Sequence, residues 1–143
     1  MRKASTLAVL GILPALLVLG SAGPAGAAFG TREHKLEALV NEARAAAGLA
    51  PLAPRARLNQ IAERHSRRMV DSGVLSHSDL GKTLPGTPAA EVVGFGPSVG
   101  AVFTELMASG VHRDILLGSA WRKTGLGVVR GGGRVWVTQI VRN

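Results

Sequence analysis

Three side chains in this sequence have the chemistry of a polar functional site. His77 follows Ser76 in a serine-flanked stretch, His112 precedes an arginine, and Glu91 is a lone carboxylate among small and apolar residues. Imidazole and carboxylate groups coordinate divalent cations and exchange protons near neutral pH. The sequence therefore predicts a cleft site at His77, Glu91 and His112, provided that the fold brings the three together.

The same residues determine the cofactor and the catalytic predictions. Two neutral imidazoles and one carboxylate match the ligands of zinc, with water in the fourth position. His77, His112 and Glu91 are therefore also the predicted ligands if zinc or another divalent cation is bound, and no other cofactor is indicated. No catalytic residue is predicted, because the serines near the histidines lack the glycine pattern of a nucleophile elbow and the chain contains no cysteine.

The N-terminal part of the chain has the layout of a secretory signal peptide. Two basic residues precede an apolar run over residues 7–19, and an Ala-x-Ala pattern ends at Ala27. The apolar run is shorter than the ~20 residues that span a bilayer. We predict a signal peptide over 1–27, a single domain over 28–143, and a secreted, extracellular or cell-envelope location with no stable membrane span after cleavage. An uncleaved anchor is the alternative.

Charge and aromatic content narrow the range of partners. The chain has 17 Lys and Arg against nine Asp and Glu, a formal net charge of +8, and aromatic residues make up 3% of it. With no stacking platform, nucleic acid is not an expected partner. An unknown small ligand, a lipid or an anionic cell-wall component is expected instead. Arg64, Arg67 and Arg68 form a candidate basic patch, for which the alternative is a solvated charged face.

The spacing of apolar residues predicts two helices in the first half of the chain. Helical periodicity runs over residues 33–47 and over residues 54–72, and a glycine follows each run. His65 falls on the apolar face of the second helix, so we interpret it as a hydrogen-bonded core histidine. Asn41 is interpreted as a turn-stabilising amide, and Arg44 as the partner of a carbonyl or carboxylate.

The second half of the chain predicts a loop, a helix and a hairpin. Glycine, proline and small polar residues over 75–96 indicate a long surface loop with only a brief strand-like run at Val92–Val93. A third helix is predicted from about 98 to 108, a helical turn at 113–117, and a β-hairpin around Gly131–Gly133. Together the elements predict an α+β fold.

Short motifs along the chain occur in an order that is typical of one family. They are Asn41-x-x-Arg44 with Gly48-Leu49-x-Pro51-Leu52, then Leu58, Ala62, His65 and Met69, then Ser76-His77, Glu91, Ser109-x-x-His112-Arg113, Gly125-x-Gly127 and Trp136-Val137-Thr138-Gln139. Together they resemble the CAP family, also called the SCP or pathogenesis-related-1-like domain, in its small bacterial secreted form. The resemblance implies an α-β-α sandwich with a small antiparallel sheet between helices. It also implies a His- and Glu-lined cleft, which holds a divalent metal in some relatives.

The chain departs from the family pattern around this cleft. Ala90-Glu91-Val92 replaces the usual Gly-Glu-Asn, so the support of Glu91 is left open, and Glu105 is displaced from the position of the family's second cleft carboxylate. We predict a secreted, non-catalytic binding module whose cleft takes a small ligand, a lipid or a cell-wall component. Two alternatives stay open: a metal-dependent extracellular hydrolase, and a surface adhesion or defence protein with a vestigial cleft.

Overall fold

Helices and strands alternate along the part of the chain that the structure describes. The computed structural model describes residues 29–143, and the predicted signal peptide lies outside them and stays a prediction. In chain order the elements are α1 (Thr31–Ala46), β1 (Ala53–Pro54), α2 (Ala56–Ser72), α3 (Leu80–Thr83), β2 (Ala89–Gly96), α4 (Val99–Ala108), α5 (Gly110–Leu116), β3 (Lys123–Gly131) and β4 (Arg134–Arg142).

The four strands form one mixed sheet between two layers of helices. Their order is β1-β3-β4-β2, with β1 parallel to β3 and the other two pairs antiparallel. Helix α2 covers one face of the sheet, and α1, α4 and α5 cover the other. A sheet that is apolar on both faces needs such cover. The predicted α+β fold with an α-β-α sandwich is therefore confirmed, and the short parallel strand β1 is an addition to the predicted antiparallel sheet.

The helix boundaries agree with the predicted periodicity for α1, α2 and α4. Gly73 ends α2 in the left-handed conformation, at φ 67°, which glycine adopts without steric cost. The hydroxyl of Ser98 caps α4 by accepting from the Ala101 N–H. The side-chain amide of Asn41, on α1, hydrogen bonds to both backbone groups of Leu52 in the segment after the helix, as its predicted structural role requires.

Arg44, near the end of α1, is fully buried. Its guanidinium donates to the carbonyls of Ala50, Leu116 and Gly118 at 2.9, 2.8 and 3.1 Å. Burial, and to a smaller extent nearby Arg122, lowers the pKa of this guanidinium. Because a buried cation is costly unless hydrogen bonded, these carbonyls keep Arg44 inside and connect α1 to the end of α5. The predicted structural role of Arg44 is confirmed.

The Gly132–Gly133 turn, with both φ angles positive, joins β3 to β4 as a two-residue hairpin requires.

Glycines on β3 bring α2 close to the sheet. A Cβ on Gly125 would lie 2.4 Å from the backbone of Leu58, and a Cβ on Gly127 would lie 2.3 Å from the backbone of Ala62. Helix α2 therefore packs directly on the main chain of β3.

The prediction of one long loop over residues 75–96 is wrong at Leu80–Thr83, which forms α3, and at Ala89–Gly96, which forms β2. Every residue of β2 pairs with a residue of β4. The glycine content of this segment is misleading because Gly94 and Gly96 serve packing: a Cβ on either would lie 2.9 or 3.1 Å from the Val102 side chain. Glycine here marks the close approach of α4 rather than a loop.

Helix α5 begins three residues before the predicted helical turn at 113–117. Gly110 starts it, and glycine is a poor helix former that masked the first turn in the sequence. His112 consequently lies within a helix rather than at its start.

The larger apolar core lies between the sheet and the layer of α1, α4 and α5. Its buried members include Leu36, Val40, Leu52, Val92, Val102, Leu106, Leu116, Leu126 and Val137. On the opposite face, two smaller clusters lie under α2. Their buried members are Leu58, Ile61, Ala62, Leu84 and Ile140 in one, and Met69, Val93 and Trp136 in the other.

Candidate functional site

The Glu91 carboxylate, on strand β2, is buried, and both of its oxygens have hydrogen-bond partners; its side chain is 3% exposed. Oε1 lies 3.0 Å from Nδ1 of His77 and accepts from the Ser78 N–H at 2.8 Å, and Oε2 accepts from the Ser78 hydroxyl at 2.5 Å. A buried carboxylate requires partners of this kind. Ser78 thus supplies the support that the sequence left open.

The contact with Glu91 determines which nitrogen of His77 carries the proton. A carboxylate oxygen accepts hydrogen bonds, so Nδ1 is the donor, and in the neutral ring Nε2 then has a free lone pair. The His77 side chain is 60% exposed. Its Nε2 is therefore available to a ligand, a proton donor or a cation, and Glu91 orients the ring from behind.

His65 holds the loop that carries His77 against α2. Its ring is buried, as predicted for a core histidine. Nε2 lies 2.6 Å from the carbonyl of Ser76, which can only accept, so Nε2 is the donor. Nδ1 then accepts from the Arg68 guanidinium at 3.1 Å. The backbone next to His77 is thereby fixed to the helix.

These groups line a depression of about 630 Å³ between the C-terminal half of α2 and residues 76–79, called the His77 cleft below. Its lining residues are His65, Arg68, Asp71, Ser72, Ser76, His77, Ser78 and Asp79. One arginine, two acids and several hydroxyls offer both donors and acceptors. The cleft therefore offers hydrogen-bond partners to a hydroxyl-rich or charged ligand.

His112 lines a different depression, of about 330 Å³, which runs along β2 and is called the β2 groove below. Its lining residues are Leu75, Val93, Gly94, Phe95, Val102, Glu105, Leu106, Ser109 and His112. Within residues 29–143, His112 forms no hydrogen bond with His77 or Glu91. Of the three predicted site residues, the structure thus pairs His77 with Glu91, and it places His112 in a separate groove, whose lining also includes Glu105.

The described side chains do not form a three-ligand metal site. No group of three His, Cys, Asp or Glu residues within 29–143 lies close enough together to share a metal ion. Both oxygens of Glu91 already accept hydrogen bonds from the segment that carries His77. The residues therefore do not fit a shared ion in this arrangement, and metal binding by His77, His112 and Glu91 stays a prediction.

The family follows from the sequence match together with this fold and cleft. Residues 37–141 match the CAP family, described as the cysteine-rich secretory protein family. The chain belongs to this family, although it has no cysteine, and the resemblance seen in its motifs is confirmed. A comparison with curated protein sequences finds no match.

Solved structures of similar fold include three bacterial proteins. An extracellular protein with an SCP domain from Bacillus anthracis is 23% identical with a TM-score of 0.68, over 77% of this chain and 39% of that one. A cysteine-rich secretory protein from Staphylococcus aureus is 27% identical with a TM-score of 0.63, over 76% of this chain and 37% of that one. An outer surface protein from Borrelia burgdorferi is 14% identical with a TM-score of 0.70, over 80% and 95%.

This chain thus spans about two fifths of the Bacillus and Staphylococcus proteins. None of the helices that the structure describes combines the length and hydrophobicity of a membrane span.

Proposed function

We propose that this CAP domain is a non-catalytic extracellular binding module whose His77 cleft takes a small polar ligand, in particular a hydroxyl-rich or charged component of the cell wall. The observation that carries the proposal is the buried Glu91 carboxylate, which orients the exposed ring of His77. The cleft volume of about 630 Å³ lies in the range typical of small-molecule sites.

The location and the partner class have independent support. Two of the structural neighbours are an extracellular and an outer surface protein, which favours a secreted or cell-envelope location. Residues 28–143 carry 15 of the 17 Lys and Arg and all nine Asp and Glu. This excess of positive charge favours attraction of the whole domain to an anionic wall, because opposite charge raises the association rate and local concentration.

The test uses soluble fragments of peptidoglycan and of a phosphate-bearing wall polymer, titrated calorimetrically into residues 28–143. We expect at least one fragment to bind, and His77→Ala to weaken that binding about tenfold or more, through loss of a hydrogen bond in the cleft. His34→Ala is the matched control, because His34 is an exposed histidine on α1, in the opposite layer. Equal affinity of the His77→Ala variant and the wild type would contradict the proposal.

A hydrolase is the second candidate, and the His77–Glu91 pair is the observation that favours it. A histidine oriented by a carboxylate is an arrangement that general bases use. Among residues 29–143 no hydroxyl donates to His77, so water would be the nucleophile. Mass spectrometry of the bound fragments decides: recovery of intact fragments supports a binding module, whereas cleavage that Glu91→Gln slows supports a hydrolase. If no fragment binds, the adhesion or defence alternative is favoured.

Metal binding is tested separately by calorimetric titration with zinc at neutral and mildly acidic pH. Coordination requires neutral imidazole, so heat at neutral pH that is lost on acidification and in His77→Ala would support a cation at His77. Loss of the same heat in His112→Ala would restore the predicted shared site. No heat at either pH would remove zinc from the proposal.

A further inference from the structure

The β2 groove runs along the edge of the sheet rather than over one of its faces. Val93, Gly94 and Phe95 are consecutive residues of β2, and all three line it. Side chains alternate between the two faces of a strand, so a depression that touches three residues in a row follows the backbone. Strand β2 is the last strand of the sheet on this side.

Hairpin geometry determines which backbone groups of β2 point outward. The two-residue turn makes Gly131 and Arg134 a hydrogen-bonded pair. On β4, Arg134 and every second residue after it therefore bond to β3, whereas Val135 and every second residue after it bond to β2. In the register of β2 with β4, the even-numbered residues of β2, Gly94 among them, therefore direct their N–H and C=O groups toward β4. Val93 and Phe95 consequently direct their N–H and C=O groups into the groove.

These outward groups have no backbone partner within residues 29–143. Natural edge strands are commonly protected by lysine, proline or a bulge. Residues 92–96 contain no charged residue and no proline, and each pairs one-to-one with β4 without a bulge. Phe95 is 40% exposed and Val93 is 6% exposed, so the edge is accessible to further strand pairing at Phe95, and Val93 lies at the floor of the groove.

Both helical layers contribute a wall to the groove. Leu75, 42% exposed, stands on the α2 side, and Val102 and Leu106 of α4 stand on the other side. The groove therefore has apolar side chains on both of its sides. The volume of about 330 Å³ is of the order of two to three residues, which is the length of edge that lines it.

We propose that the β2 groove binds an extended peptide segment of a partner protein by strand addition. Backbone hydrogen bonds to Val93 and Phe95 would hold the peptide, and alternate apolar side chains would pack against Leu75 on one side and Leu106 on the other. This site goes beyond the proposed function, because the His77 cleft contributes nothing to it.

Charge at the rim specifies the occupant further. Glu105 is exposed beside the groove and forms no ion pair within the described part of the chain. A basic side chain in the peptide complements it, so the partner segment is apolar residues alternating around a lysine or arginine.

The probe is a heptapeptide selected from a displayed random library against residues 28–143, then synthesised in two N-methylated forms that block alternate sets of N–H groups. We expect one form to lose about tenfold or more in affinity, because it leaves carbonyls of the edge unpaired, and the other to bind like the parent. Amide exchange provides a second readout: the amide of Phe95, which is 40% exposed, becomes protected on binding, whereas the inward Gly94 amide is protected throughout.

Two substitutions, each with a control at another exposed position, locate the site. We expect Leu75→Arg to abolish binding and Val111→Arg, at an exposed valine outside the groove, to leave it unchanged; Glu105→Lys should weaken it where Glu42→Lys does not. Failure to select any peptide, equal binding of both N-methylated forms, or full binding by Leu75→Arg would each overturn the proposal. A dimer of the free protein that Leu75→Arg disrupts would assign the edge to a second copy and would overturn it also.

Discussion

The two faces of the sheet are packed by different means. On one face, α2 rests on the bare backbone of Gly125 and Gly127. On the other, α1, α4 and α5 pack through interleaved valine and leucine side chains. The face with the smaller apolar clusters also carries the buried polar groups His65, Ser66 and Glu91. The comparison indicates that the side-chain core provides most of the hydrophobic stabilisation, while the close-packed α2 face positions the His77 cleft.

The largest expected effect is that of Gly127→Ala, which tests the backbone contact of α2. The added Cβ would meet the backbone of Ala62 and Glu63, which cannot move without shifting the helix. We expect the free energy of unfolding to fall by about 3 kcal/mol, at the upper end for overpacking. Urea denaturation of the variant and the wild type measures it.

Gly94→Ala is the matched substitution on the other face. Its Cβ would meet the end of the Val102 side chain at 2.9 Å, and a side chain can change rotamer. We expect a cost of about 1 kcal/mol. If the two glycine variants lose the same stability, the two faces do not differ in the way described.

The second prediction concerns Arg44, a buried cation in the layer of α1, α4 and α5. Arg44→Met keeps an unbranched side chain of most of the same volume and removes the donors to Ala50, Leu116 and Gly118. Leaving buried carbonyls unpaired is expected to cost about 2–3 kcal/mol, measured by thermal and urea unfolding. The exposed Arg57 of α2 provides the control as Arg57→Met, for which we expect little change. A stable Arg44→Met variant would mean that the carbonyls find other donors and that this layer depends on side-chain packing alone.

Local patterns in the sequence are sufficient to predict those helices and strands whose formation depends on their own residues. Helices α1 and α2 follow from apolar spacing and terminal glycines, and the hairpin follows from its glycine turn. Strand β2 does not, because Gly94 and Gly96 are there to admit Val102, a residue of another element. Composition alone cannot distinguish a glycine that bends the chain from one that lets a helix approach.

The candidate site divides in the same way. The pairing of His77 with Glu91 could be predicted from residue type and family pattern. The roles of Ser78 and Arg68 could not, because they depend on where the loop after α2 turns back onto β2. In the sequence, Ser78 can be identified only as a serine next to a histidine. The position of His112 depends on where α5 packs against the edge of the sheet, and no local signal in the sequence specifies that.

The smallest expected effect is that of Ser78→Ala, which tests how far the α2 face depends on a single hydroxyl. The substitution removes the hydrogen bond to Oε2 of Glu91 and leaves the Ser78 N–H and His77 in place on Oε1. We expect a loss of about 1 kcal/mol in unfolding free energy, the usual net value of one hydrogen bond. Ser76→Ala is the control, because the contact of Ser76 with His65 is made by its backbone carbonyl. If Ser78→Ala also weakens ligand binding to the same degree as His77→Ala, the hydroxyl positions the ring as well as the carboxylate. If it changes neither stability nor binding, Glu91 needs only the two donors on Oε1, and the cleft is held chiefly by the contact of His65 with Ser76.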